Sequence, residues 1–232
     1  MIYILLFILG TIFYSFSYCV SYRIIHHLNF VSDHSRCEYC DHILNWYDLI
    51  PIISYICLKG NCRYCDHPIL RNHLYIEILG GFITLILYIK YNLLCFIIYE
   101  IVGMILFICA YIDYKELVIY DVFQYILMVL GIIKCIVFYN NMKWIVIYIL
   151  IICVPLLLLA LLKKQSIGMG DIYLYASLCL ILNNQIILCF IISIYSSLIV
   201  CLYLLLTKRL SLSDPIPFIP FIYIGYLVCL MI

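Results

Sequence analysis

Eight apolar runs, most of them near the ~20 residues that a helix needs to cross a bilayer, leave this chain few ways to fold. Within lipid no water is present to satisfy backbone N–H and C=O groups, so such runs must become helices packed on one another. By length and hydropathy the spans fall near residues 2–20, 74–90, 93–112, 122–139, 144–162, 172–183, 186–206 and 216–232. Composition agrees: 68% of the residues are hydrophobic and 11% charged, against roughly 45–50% apolar in soluble domains. The expected fold class is an all-α polytopic membrane protein with about eight transmembrane helices and one cytosolic metal-binding loop.

The organisation expected is a first transmembrane span at 1–20, a polar cytosolic loop at 21–73, and a seven-helix membrane core at 74–232. No small-residue cleavage site follows the first apolar run, which reads as a retained span. No internal repeat, low-complexity tract or Gly/Ser linker is expected. Eight spans place both termini on one side of the membrane. Arg23, Arg36, Lys59, Arg63, Arg71, Lys115, Lys163, Lys164, Lys208 and Arg209 fall on the opposite side with the long loop, and Lys90, Lys134 and Lys143 at or near the termini's side. Ten against three marks the loop side as cytosolic and the termini as outside. A net charge of +1 with scattered basic residues argues against nucleic acid as a partner; the partner that composition implies is membrane lipid. The oligomeric state is not legible.

Ten of the fourteen cysteines sit singly in or beside apolar runs and read as small hydrophobes. The other four form Cys37-Glu-Tyr-Cys40 and Cys62-Arg-Tyr-Cys65, two C-x-x-C pairs 21 residues apart. Two residues between cysteines turn both sulfurs toward one point, and two such turns make the four-sulfur set that structural zinc favours. Arg36, Lys59 and Arg63 would offset the negative charge of four thiolates. The alternative is a redox or disulfide role, which a reducing cytosol disfavours. His42 and His67 lie two residues beyond a second cysteine and are expected outside the ligand set.

Four acids, Glu77, Glu100, Asp113 and Asp171, lie in or at the ends of apolar runs, where a charge is costly and usually functional. Topology sets Asp113, ending the third span, and Asp171, directly after Gly168-Met169-Gly170, at the cytosolic edge. Two facing carboxylates that share one proton form the acid and base pair for water attack on a peptide carbonyl. Gly168 and Gly170 would let an extended substrate approach Asp171. The bland alternative is a turn with Asp171 as a helix N-cap. Glu100 is expected to be a partnered interior residue.

At these positions the chain resembles the type IV prepilin peptidases, membrane aspartic proteases. The resemblance runs through Tyr22-Arg23, Arg36-Cys37, Trp46-Tyr-Asp-Leu-Ile-Pro51, Lys59-Gly60-Asn-Cys62, Glu77, Ile112-Asp113, Asp121, Gly168-Met-Gly-Asp171 and Ile216-Pro-Phe-Ile-Pro-Phe221. It implies a bacterial inner-membrane enzyme that cuts the short basic leader from prepilin or pseudopilin precursors, with Asp113 and Asp171 catalytic and Cys37, Cys40, Cys62 and Cys65 holding zinc. It also implies that methylation of the new N-terminus with S-adenosylmethionine can follow. Glu77 matches a family acid, and a role in the loop site or in binding the basic leader is weighed against helix-start placement. The chain departs from the family at Tyr14, where relatives have glycine, at Tyr18, Tyr120 and Tyr173. Two rivals stand beside this reading: a proton-coupled transporter using Asp113 and Asp171, and a non-catalytic scaffold for assembly.

Overall fold

The computed structural model describes all residues except 30–33, 139–141, 163–167 and 210–213, so Asp33, Lys163 and Lys164 lie outside the described residues. The apolar runs are helices: α1 (Ile2–Ile25), α3 (Arg71–Lys90), α4 (Leu93–Glu116), α5 (Asp121–Phe138), α6 (Met142–Leu162), α7 (Met169–Leu182), α8 (Ile186–Leu206) and α9 (Ile219–Met231). A short α2 (Ile53–Cys57) lies in the polar insert. Among the described residues there is no strand beyond the isolated bridges Arg36 to Ile43 and Asn61 to Pro68.

Six stretches are long and apolar enough to cross a membrane. The last, Met169–Leu206, comprises α7 and α8 joined by a 3-10 turn at Asn183–Gln185; α9 is shorter but apolar throughout. Leu158, Leu161, Ile199 and Leu206 are more than half exposed, a cost in water that vanishes in lipid. Pro155 inside α6 removes one backbone donor, which membrane helices tolerate.

The chain divides into two compact units, 1–96 and 97–232. In the first, α1 packs along α3 with the polar insert between them in sequence. Close approach requires glycine: a Cβ on Gly80 would sit 2.5 Å from the Tyr14 ring, and one on Gly10 would meet Thr84 and lie 2.8 Å from the Gly80 carbonyl. Tyr14 is therefore accommodated by a glycine on the facing helix, and is 1% exposed. Gly80→Leu should destabilise the protein by about 1–3 kcal/mol through overpacking, read as a lowered thermal midpoint in detergent. Leu79→Val, on a 60% exposed position, should leave that midpoint unchanged.

In the second unit α7 packs on α5 and α6, and α9 on α8. Lys134, counted from sequence among the charges near the outer side, is instead buried in α5. Its Nζ donates to Tyr99 Oη at 2.7 Å and to the Ile181 carbonyl. An ammonium at that depth persists because its donors are satisfied inside the bundle. Glu100, on α4 beside Tyr99, is also buried and partnered, as expected.

Candidate active site and metal centre

In the first unit the two C-x-x-C pairs build one centre. Each repeats the same turn. The Cys37 N–H donates to the His42 carbonyl at 3.0 Å and the Cys62 N–H to the His67 carbonyl at 2.8 Å. The Asp41 and Asp66 N–H groups donate back to Cys37 and Cys62 at 3.0 Å, and both aspartates take positive φ, 58° and 55°. The repeat is written in the sequence as Cys-x-Tyr-Cys-Asp-His, twice, which contradicts the expectation of no internal repeat. His42 stacks on Tyr64 at 3.7 Å between ring centroids and His67 on Tyr39 at 3.4 Å. The histidines thus join the two turns rather than ligating.

The four sulfur atoms lie within 4.8 Å of one another, Cys37 and Cys65 at 3.9 Å, so the set could hold a metal ion. The edge of a tetrahedron with ~2.3 Å metal–sulfur bonds is about 3.8 Å. All fourteen cysteines are free thiols. Burial raises the Cys37 thiol, but the backbone N–H groups of Cys40 and Tyr39 and the neighbouring sulfurs bring it down to about 7. At Cys65 the His67 backbone favours the thiolate, while burial and the other three sulfurs push it up to about 12. Crowded sulfurs cannot all ionise unless a cation joins them. Arg63, expected beside the thiolates, is committed elsewhere: its Nε donates to Asp48 at 2.9 Å, in a network with Tyr64 and Asn45. Asp48 lies within reach along the loop, and a bidentate acceptor competes better for a guanidinium than a thiolate.

Glu77, six residues into α3, ties this loop to the helices. One carboxylate oxygen accepts from Ser15 Oγ on α1 at 2.9 Å and the other from the Ile52 N–H at 2.7 Å. Between α1, α3 and the loop lies a cavity of about 850 Å³, lined by Ser15, Tyr18, Arg23, Arg36, His73 and Glu77 among others.

In the second unit, Asp113 lies in the last turn of α4 and is buried. Its Oδ2 accepts the Ile219 N–H at 2.9 Å. Ile219 opens α9, where the first backbone donors have no partner within the helix and favour an anion. Asp171 lies in the first turn of α7, half-buried, one turn after Gly168. Gly168, rather than Asp171, caps that helix. The two carboxylates, 58 positions apart in sequence, lie within electrostatic reach of one another.

Two further elements adjoin the aspartates: Gln124, which was not singled out from the sequence, and the 216–221 segment, which entered there only as part of the resemblance. Gln124 of α5 is buried and its Nε2 donates to the Gly170 carbonyl at 3.4 Å. A Cβ on Gly170 would lie 2.5 Å from Ile119 Cδ1 and 2.9 Å from that amide, so the turn carrying Asp171 is held against α5. The 216–221 segment supplies the second. Phe218 packs against Tyr175, one turn beyond Asp171, while Ile219 holds Asp113. A polar residue in an apolar run marks Gln124 in the sequence; nothing local marks a backbone N–H as a carboxylate's partner.

Residues 8–91 match the Bacterial Peptidase A24 N-terminal domain, and residues 100–205 match the Type IV leader peptidase family. The four cysteines and Glu77 fall in the first match and both aspartates in the second. A prepilin leader peptidase/N-methyltransferase of Myxococcus xanthus (strain DK1622) is 33% identical over 78 residues, 34% of this chain. The aligned stretch spans 23% of that relative's length. No solved structure matches.

Proposed function

The chain belongs to the type IV leader peptidase family, and from that premise we infer that it is a membrane aspartic endopeptidase removing the short basic leader of prepilin or pseudopilin precursors. The observation that carries the inference is a pair of carboxylates at the ends of two helices of one unit, Asp113 in the last turn of α4 held by the Ile219 N–H and Asp171 in the first turn of α7 behind Gly168. One carboxylate takes a proton from water as its oxygen attacks the scissile carbonyl carbon. The other gives its proton to the carbonyl oxygen; as the diol collapses and the C–N bond breaks, the first carboxyl passes its proton to the leaving nitrogen and a diol hydroxyl returns one to the second carboxylate. Gly168 leaves the approach to Asp171 open to an extended peptide, whereas Gly170, for which the same role was expected, lets the turn pack against Ile119 and Gln124.

The active face is cytosolic in this reading, in the bacterial inner membrane, with both termini outside. The basic residues support it, and the case strengthens once Lys134 is removed from the opposing side. Residues 21–73 act as the cytosolic loop, with zinc bound by Cys37, Cys40, Cys62 and Cys65 in a structural role, since four sulfur ligands leave no open coordination position. The 850 Å³ cavity is of a size to take S-adenosylmethionine, and its lining carries Glu38 and Asp41 together with Arg23 and Arg36, groups suited to a ligand that bears both an ammonium and a carboxylate. S-adenosylmethionine, when bound, would supply the methyl group for the new N-terminal amine. Glu77 then acts as a positioning residue, holding loop and helices together.

The test is incubation of a purified pilin precursor with membranes that contain this chain, followed by mass analysis of the mature N-terminus. Loss of the leader supports the peptidase, and an added methyl group supports the methyltransferase. An uncut precursor in the presence of well-folded protein would favour the transporter or scaffold. Gly170→Ala should lower cleavage about 10- to 100-fold with abundance unchanged, because small misplacements of a catalytic group are costly; undiminished cleavage would remove the role given to that turn.

A further inference from the structure

The cysteine loop carries an apolar surface that neither the metal centre nor the catalytic pair uses. The 3-10 turn Trp46–Leu49 touches α2, and each leaves an apolar pair uncovered. Trp46 is 76% exposed, Ile53 59% and Ile56 64%; Leu49, 46% exposed, also borders the 850 Å³ cavity. Each pair is spaced three residues apart, which brings its members onto one side of a helical turn.

The position of α2 decides what meets that surface. The Ile52 N–H, immediately before α2, is bonded to Glu77, and Glu77 is bonded to Ser15. At 1.5 Å per residue, Glu77 lies about 9 Å along α3 from Arg71, and Ser15 about 12 Å along α1 from Arg23. The start of α2 is therefore drawn about 10 Å below the basic flanks of both helices, the depth at which interfacial helices bury their apolar faces. Along α3, Tyr75, Leu79 and Phe82 are all more than half exposed, as a helix bordered by lipid requires. Lys59, exposed and two residues after α2, adds positive charge beside the surface, as anionic headgroups require.

We propose that Trp46, Leu49, Ile53 and Ile56 form an interfacial anchor that seats the cysteine loop on the bilayer at the boundary between headgroups and acyl chains. The loop is then held to the membrane between its two spans as well as by them.

Trp46 and Trp144 are the chain's two tryptophans, so Trp144→Phe leaves a single reporter in the proposed surface. The protein is reconstituted in vesicles of phosphatidylcholine and phosphatidylglycerol, with and without bromine near the glycerol end of the acyl chains. Trp46 emission is expected to be blue-shifted and quenched at least about twofold by the brominated lipid. If Trp144→Phe does not fold, the difference between wild type and Trp46→Phe reads the same signal. Unquenched emission at the wavelength of water-exposed tryptophan would overturn the proposal. So would an unquenched Trp46 that becomes shielded when a pilin precursor is added, since the surface would then belong to the substrate. The readout requires no cleavage, so it stands or falls separately from the peptidase.

Discussion

Membranes carrying Asp113→Asn or Asp171→Asn will leave a pilin precursor uncut, with the rate lowered by at least ~10³, while the protein accumulates as wild type. Asparagine preserves the shape of the side chain, and at position 113 its carbonyl oxygen still accepts the Ile219 N–H. The substitution thus removes proton transfer while keeping the contact that joins α4 to α9. The double variant should be no slower than either single one, because a shared proton is a property of the pair. Asp121→Asn, on an exposed carboxylate at the start of α5, should cut normally. Gel-shift cleavage and immunoblotting measure both quantities. Substantial residual cleavage in both single variants would sink the aspartic mechanism, and equal loss of protein would make the aspartates structural.

Removing zinc should have the largest effect on stability. Structural zinc in small domains stabilises by an apparent ~10–16 kcal/mol, and the polar insert has few other resources. Of the four proposed ligands, the buried Cys62 and its C-x-x-C partner Cys65 are the pair chosen for removal. Cys62→Ser or Cys65→Ser is expected to reduce zinc from about one ion per chain to near none by elemental analysis. It should also open Arg36, Lys59 and Arg63 to trypsin. The stacked pairs Tyr39 with His67 and His42 with Tyr64 would separate with the turns that carry them. A strong chelator should reproduce the digestion pattern in wild type. Wild-type protein free of zinc, or variants that retain it, would refute the assignment.

What each stretch of sequence could settle depended on how local its physics is. The membrane helices were legible because lipid forces an apolar run to satisfy its own backbone, whatever surrounds it. Bounds shifted where polar residues continue a helix past its apolar part, as at Ser21, Tyr22 and Arg23 in α1 and Arg71 in α3, and at α9, which starts at Ile219 rather than 216, beyond Pro217. The cysteine centre was legible for a similar reason, since two residues between thiols already aim both at one point.

Partnerships between helices were not legible in this way. The helices of this chain are apolar on nearly every side, so no stripe of hydrophobic residues says which face turns inward. Packing in lipid is decided by shape and by scattered polar groups. Sequence alone therefore determined the spans, the four-sulfur set and the two membrane-edge aspartates as candidates. Only the tertiary structure decided that Asp113 is held by Ile219, 106 positions away, that Gln124 grips the turn before Asp171, and that Glu77 joins Ser15 to Ile52. It also decided that Lys134 is an interior group and that Arg63 serves Asp48. Each of these contacts joins a polar group to a partner distant in sequence, and only the docking of whole helices and loops brings such partners into register.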